Sequence, residues 1–261
     1  GTWLNLNLLI GNYDWKGGMS AGATFDQAGG KDGQPYPLSK MHPGKTTTFA
    51  AVSGLLRPSA GSIRLFDHEA SGWSPSARAQ MGLGRTFQRT ELCPSLTVRE
   101  NVALGAEARA AGGNPWRHLV PRRAERERLG RAVAQAIEVC RLEAIADRVV
   151  GSLGVGQRRL VELARVHAGD YRVLLLDEPS SGLDSAETVE FGSVIRGMVD
   201  EGERAVLLVE HDMALVMEVC DYIYTLDFGE RIFAGTPAET RASEIVRSAY
   251  LGGAAGSADV A

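Results

Sequence analysis

The 261-residue sequence has little of several features that mark specialised protein classes. Its longest apolar runs are only as long as a strand, far short of the roughly 18 residues that span a bilayer, and we expect no secretory signal. The three cysteines, Cys93, Cys140 and Cys220, lie far apart without metal-ligand or redox spacing, so we expect reduced thiols that serve in packing. With 28 basic and 32 acidic residues the net charge is −4, which does not favour nucleic acid as a partner.

What is present is the composition of an ordinary globular protein. Hydrophobic residues make up 44% and charged residues 23%, so disorder is excluded as the main state. Glycine is abundant, at 31 residues, and much of it falls in 11–37, where no strand or helix period is sustained. We interpret that segment as loop.

Short apolar runs alternate with helical patterns along most of the chain. Upstream, the patterns predict a strand at 3–10, a helix at 45–56, short strands at 62–66 and 82–87, and several helices over 97–168. Downstream, they predict strands at 173–176, 205–209, 222–226 and 231–234, with helices at 185–200 and 212–219. This alternation is typical of a parallel sheet flanked by helices and interrupted here by a helical block.

Two carboxylates follow the most apolar of the predicted strands. The run Val173-Leu174-Leu175-Leu176 leads directly into Asp177 and Glu178. Ligands of open α/β sheets bind at the carboxyl ends of the strands, where Asp177 would hold Mg²⁺ and Glu178 would polarise a water for attack on a phosphate. A buried strand that merely ends in two solvated acids is the alternative.

A second segment, Gly44-Lys45-Thr46-Thr47, opens a predicted helix in the manner of a phosphate-binding loop. Lys45 would reach the β- and γ-phosphates, and the Thr46 hydroxyl would ligate Mg²⁺. The loop pattern requires glycine where this chain has Ser39, and Pro43 has no N–H to donate. The motif is therefore half present, and a helix that only happens to start with these residues is the alternative.

Two further segments carry weaker indications. His211 follows an apolar strand in Val209-Glu210-His211-Asp212, where it would contact a γ-phosphate or have only a structural role. The segment Leu153-Gly154-Val155-Gly156-Gln157 places glycines just before a predicted helix, which suits an anion-facing helix N-terminus. A flexible linker ahead of the helix is the alternative for this segment.

Taken in order, these segments resemble the ATP-binding cassette (ABC) ATPases, the motor subunits of ABC transporters, over about residues 44–251. The similar elements are the end of the Walker A loop (Lys45-Thr46-Thr47), the Q-loop glutamine (Gln88), the signature (153–157), Walker B with the catalytic glutamate (Asp177, Glu178), the D-loop (Ser181-Gly182-Leu183-Asp184) and the switch histidine (His211). Segments 84–88 and 94–102 and the helical insert around 115–128 are similar to the branched-chain amino acid importer group.

The resemblance implies a role for each matching residue. Glu178, His211 and Lys45 are expected to be catalytic, and Mg²⁺ is expected at Thr46, Gln88 and Asp177. ATP is expected to contact residues of the Walker A region, the Q-loop, the signature and the D-loop. These residues are Ser39, Gly44, Lys45, Thr46, Thr47, Gln88, Gly154, Gly156, Gln157 and Asp184. Gly154 stands where the family has serine, which removes a hydroxyl that would face the γ-phosphate.

The resemblance also implies the fold. We expect an α/β, P-loop NTPase-like ABC cassette with a mainly parallel sheet core, an N-terminal β region and an inserted α-helical subdomain. The expected divisions are a single ABC ATPase domain over 1–261, an α/β core at 1–88 and 169–251, a helical subdomain at 89–168 and a flexible tail at 252–261.

The implied function is ATP hydrolysis that drives uptake of branched-chain or related amino acids. Such a cassette would lie peripherally at the cytoplasmic face of the plasma (inner) membrane. Its expected partners are a second cassette, identical or not, in a head-to-tail dimer, integral membrane permeases and, indirectly, a solute-binding protein. The departures at Ser39, Pro43 and Gly154 leave an alternative open: a subunit with a degenerate nucleotide site that docks on permeases and pairs with an active cassette.

Overall fold

A computed structural model describes residues 7–10, 47–58, 61–86, 92–111, 123–200, 204–227 and 230–251. The strands in these ranges are β1 (Asn7–Ile10), β2 (Arg64–Leu65), β3 (His68–Glu69), β4 (Leu83–Arg85), β5 (Val173–Asp177), β6 (Ala205–Glu210), β7 (Ile223–Asp227) and β8 (Glu230–Gly235). The helices are α1 (Thr47–Ser53), α2 (Pro75–Met81), α3 (Val98–Ala111), α4 (Arg123–Val139), α5 (Val155–Ala168), α6 (Ser185–Asp200), α7 (Met213–Val219), α8 (Pro237–Ala242) and α9 (Glu244–Leu251).

The chain divides into two compact units. The first is built from the described parts of Ala79–Leu207, and the second from those of Asn5–Arg78 and Leu208–Ala261. This division does not test the predicted subdomain limits at 88/89 and 168/169, which stay predictions.

The first unit combines strands with the predicted helical block. Strand β4 runs parallel to β5, with Leu83 opposite Val173, and Ala205 N donates to the Arg172 carbonyl at 2.9 Å. The inner residues of β5 are at most 1% exposed, as expected for a continuous apolar strand covered on both faces. Helix α3 packs against α4 and α5. Gly105 permits the close approach to α5, because a Cβ there would lie 1.9 Å from the Arg165 carbonyl oxygen.

The second unit holds the remaining strands. Strand β1 is parallel to both β6 and β7, with Leu8 opposite Val209 and Tyr224, and β8 pairs antiparallel with β7. Strands β2 and β3 form a separate two-stranded hairpin. The mainly parallel α/β arrangement and the helical block are therefore confirmed.

The sequence patterns located most elements but missed several short ones. The helix at 185–200 has the predicted limits, whereas α1 is shorter than predicted because Gly54 adopts φ +84° immediately after it. Strand β3 and helices α2, α8 and α9 were not predicted, and they are too short to show a clear period. The predicted loop at 11–37 lies outside the described residues, as does the tail at 252–261.

The three thiols are free, which agrees with the packing role expected from the sequence. Cys140 and Cys220 are buried, and burial raises the pKa of the Cys140 thiol to about 12. Across the described ranges, the structure has no helix with the length and apolarity needed to cross a membrane.

Candidate functional site

The carboxyl end of β5 carries the first pair of predicted site residues. Asp177 is the last residue of the strand and is 1% exposed. Its carboxylate lies 3.9 Å from Arg85 Nη2 at the end of the neighbouring strand β4, and its backbone N donates to the Thr86 hydroxyl at 3.4 Å. Thr86 N in turn donates to the Leu175 carbonyl at 2.9 Å. The carboxyl end of β5 thus places a buried carboxyl group close to the Arg85 guanidinium.

Glu178 begins a turn with an uncommon backbone conformation. Its φ is +45°, a left-handed value that non-glycine residues rarely adopt. The turn is closed by Ser181 N, which donates to the Glu178 carbonyl at 3.1 Å, and it continues to Gly182 at φ +86°. Backbone strain of this kind costs about 1–3 kcal/mol and concentrates at functional sites. The strained turn sets the half-buried Glu178 apart from the buried Asp177 beside it.

Asp184 has a structural contact at the start of helix α6. Its Oδ1 accepts from Glu187 N at 2.8 Å, and its own N donates to Glu187 Oε2 at 3.1 Å. These reciprocal bonds form a capping box that satisfies N–H groups at the helix start. The D-loop is therefore tied to the first turn of α6, and the predicted ATP contact of Asp184 stays a prediction.

The signature segment lies at the start of helix α5. Gly154 is the N-cap, with φ −67° and ψ 171°, and it supplies no side-chain cap. The expectation that both glycines precede the helix is wrong for Gly156, which lies in its first turn. A Cβ on Gly156 would lie 2.4 Å from Glu187 Oε1, whereas one on Gly154 would meet nothing within 4 Å. Through Glu187, the structure brings the signature segment next to the D-loop.

His211 follows strand β6 in the second unit, where a buried acid holds its backbone. Glu210 is fully buried, and its Oε2 accepts from His211 N at 3.0 Å and from Asp212 N at 3.4 Å. The same oxygen lies 3.7 Å from His211 Nδ1, and the His211 side chain is 35% exposed. Sequence reasoning assigned no role to Glu210, although an acid that ends an apolar strand before a histidine was visible in the motif.

Several predicted site residues lie outside the described ranges. These are Ser39, Gly44, Lys45, Thr46 and Gln88, and only the backbone of Thr47, at the start of α1, is described. Within the described ranges no group of three or more His, Cys, Asp or Glu side chains is placed to hold a metal ion. Of the expected Mg²⁺ ligands, the structure describes Asp177 alone.

Comparisons with known proteins agree on one family. The profile of the family described as ABC transporter matches residues 43–181. The chain is 38% identical to the high-affinity branched-chain amino acid transport ATP-binding protein BraF of Pseudomonas aeruginosa, over 80% of this chain and 83% of that protein. It is 36% identical to the corresponding protein LivG of Salmonella typhimurium over the same shares. A nucleotide-free ATP-binding cassette from an ABC transporter superposes with a TM-score of 0.67 at 19% identity, covering 94% of this chain and 87% of that one.

Proposed function

We propose, from the premise that this chain belongs to the ABC transporter family, that it is the ATP-binding subunit of an importer. It hydrolyses ATP to drive uptake of branched-chain or related amino acids through partner permeases. The amino acid class rests on the names of the relatives at 36–38% identity. The enzymatic step rests on residues of this chain.

The observation that carries the enzymatic step is the pair of adjacent carboxylates at the end of β5. Asp177 is 1% exposed, whereas Glu178 is half-buried in the left-handed turn that follows. In this proposal Glu178 orients and polarises the attacking water, because a carboxylate outside the buried strand remains accessible to solvent. Asp177 would hold the metal ion that accompanies the nucleotide.

The expected metal ion is Mg²⁺, and the residues fit it. A buried carboxylate (Asp177), a hydroxyl (Thr46) and an amide (Gln88) are hard oxygen donors of the kind that Mg²⁺ prefers. When bound, the ion would neutralise charge on the phosphates. Lys45 would contribute a second positive charge at the same phosphates.

The signature segment and His211 complete the proposed nucleotide contacts. The N-terminus of the 14-residue helix α5 is a favourable place for phosphate, and its N-cap, Gly154, has no side chain to cap the first N–H groups. Glu210 fixes the backbone of His211, so that the imidazole is held ready to contact a γ-phosphate. In a head-to-tail dimer, the segment 153–157 of one subunit would face the nucleotide bound at Lys45 of the other.

The proposed assembly follows from the same premise. Two cassettes, identical or not, dock on integral membrane permeases at the cytoplasmic face of the plasma (inner) membrane. A solute-binding protein delivers the amino acid to those permeases and does not contact the cassette. The helices of this chain that the structure describes cannot span the bilayer, so a partner would supply the channel.

Steady-state MgATP hydrolysis by the Glu178→Gln variant tests the enzymatic step. The expected result is a loss of at least about 100-fold in kcat, because a general base contributes about 10²–10⁴-fold, with nucleotide affinity retained. Glu190→Gln is the matched control, since Glu190 is an exposed acid on helix α6. Equal activity in Glu178→Gln and wild type would contradict the assigned role.

Calorimetric titration with MgATP separates this function from the degenerate-site alternative. We expect binding in the micromolar range that Lys45→Ala abolishes. No binding up to millimolar ATP would instead support a subunit that docks on permeases and pairs with an active cassette. Ser39, Pro43 and Gly154 are the departures that would then explain the loss of affinity.

A further inference from the structure

A cavity of about 530 Å³ in the first unit is lined by charged residues that the proposed ATPase does not use. It lies beside helices α3, α4 and the carboxyl end of α5, with Arg204 contributed from just before β6. A volume of this size is within the range of small-molecule sites, about 300–1,000 Å³.

The lining includes a guanidinium in contact with the ring nitrogens of a buried imidazole. Arg204 donates to the ring of His167, which is 5% exposed, and its Nη2 lies 3.4 Å from Asp170. Burial first, and then the Arg204 charge, lower the pKa of His167 to about 4, so this imidazole is neutral near pH 7. The Asp170 side chain is 68% exposed, and such an exposed, long contact compensates the Arg204 charge only weakly.

Helix α4 contributes two further arginines to the lining of the cavity. Arg128 and Arg131 lie one turn apart on α4, and both line the cavity. Neither has a hydrogen bond or ion pair with another described residue. Their positive charges are therefore available to a ligand that enters the cavity.

Negative groups on the lining oppose an anion. Glu125 and Asp170 contribute two carboxylates, and α5 ends at Ala168, where the helix dipole is negative. Three arginines outnumber the two carboxylates. The last carbonyls of α5 are also engaged, because Gly169 N and Asp170 N donate back to Val166 and His167 at 3.2 and 3.0 Å. The balance at the cavity is positive.

We propose that this cavity binds a small multivalent oxyanion, such as a phosphate ester or a polycarboxylate, between Arg204 and the arginines of α4, Arg128 and Arg131. The paired N–H donors of a guanidinium match two oxygens of a carboxylate or of a phosphate, and several guanidinium groups around one cavity select for more than one negative charge. None of the residues that line the cavity is among those proposed to bind ATP.

Titration with pyrophosphate and with citrate tests the proposal and distinguishes the two ligand sources. Both probes are added to the Lys45→Ala protein, so that binding at the proposed nucleotide loop does not contribute. This Lys45→Ala protein is the parent protein in which the other substitutions are made. Arg131→Gln and Arg128→Gln should each weaken binding about tenfold, the effect of one lost charge-assisted contact. Arg126→Gln is the matched control, because Arg126 is an exposed arginine of the same helix that does not line the cavity.

The relative affinities of the two probes identify the class of ligand, and the control variant tests the location of the site. Tighter binding of pyrophosphate than of citrate would identify a site that prefers phosphate groups, and the reverse order a polycarboxylate site. Equal weakening by Arg126→Gln and Arg131→Gln would show nonspecific attraction by α4 and overturn the proposal. Absence of binding of either probe to the parent protein at low salt would overturn it as well.

Proton NMR of His167 supplies a readout specific to the cavity. A bound anion near Arg204 should raise the pKa of His167, because negative charge favours the protonated imidazole. The pKa should move with probe concentration in the parent protein and stay unchanged in the doubly substituted Arg128→Gln, Arg131→Gln protein. No shift in the parent protein at saturating probe would place the anion elsewhere and refute the site.

Discussion

Arg78 offers a stringent test of how the second unit is held together. This arginine lies in α2 and is 1% exposed, which is rare for a charged residue. Its Nη1 donates to the Ala51 and Val52 carbonyls at 2.6 Å each, and its Nη2 donates to the Ala70 carbonyl at 2.7 Å. Burial lowers the pKa of the guanidinium, which still remains charged at neutral pH.

The contacts explain why a charge is tolerated there. Two of the accepting carbonyls belong to the last turn of α1, whose final C=O groups have no partner within the helix. Arg78→Met keeps most of the apolar stem but removes the guanidinium donor from three carbonyls, of which those of Ala51 and Ala70 keep a backbone donor, from Gly54 N and Trp73 N. Three charge-assisted hydrogen bonds contribute about 1.5–3 kcal/mol each, and removing the cost of burying the guanidinium returns several kcal/mol. We expect a net loss of about 2–4 kcal/mol.

Equilibrium urea unfolding, followed by circular dichroism, measures this loss. Arg78→Lys should fall between wild type and Arg78→Met, because one ammonium cannot reach all three carbonyls. Arg57→Met, at an exposed position, is the control and should stay within about 0.5 kcal/mol of wild type. A loss below about 1 kcal/mol for Arg78→Met would refute the reasoning.

Three further predictions concern other contacts. Asp212→Ala should lower the free energy of unfolding by about 1 kcal/mol in urea titrations, because two N–H groups of α7 lose their cap. Burial lowers the pKa of His167 from 6.5 to about 4, so as the pH falls through this range the unfolded chain binds a proton that the folded chain does not. The free energy of unfolding should therefore decrease by roughly 3 kcal/mol from pH 6.5 to pH 4, and His167→Gln should remove this contribution. Gly156→Ala would displace the flexible end of Glu187, whose Oε1 lies 2.4 Å from the added Cβ, so urea unfolding should change by at most about 1 kcal/mol while ATP hydrolysis falls, whereas Gly154→Ser should leave folding intact.

The sequence was informative wherever a pattern is local. The apolar run before Asp177 predicted a buried strand, and the period at 185–200 predicted α6 at its observed limits. The order of the motifs predicted the family, because each motif needs particular residue types at fixed spacing along the chain. Those features depend on neighbours in sequence, so no tertiary information was needed to find them.

The sequence was less informative about the exact residues at which helices begin and end. Gly156 was expected before helix α5, but it lies inside the first turn, where an added Cβ would meet the carboxylate of Glu187. Helix α1 ends earlier than its pattern suggested, at the point where Gly54 adopts a left-handed conformation. The spacing of glycines along the sequence does not by itself show where either helix begins or ends.

By itself the sequence determined the α/β class, the helical block, the family and the pair Asp177-Glu178, since hydrophobic period and motif spacing are properties of the chain. Only the tertiary structure decided that Arg78 closes the end of α1, that Glu210 holds the backbone of His211, and that a positively charged cavity lies beside α4. In the sequence Arg78 is an ordinary charged residue of a short polar segment. Its role arises because folding removes it from water and places distant carbonyls within hydrogen-bonding distance.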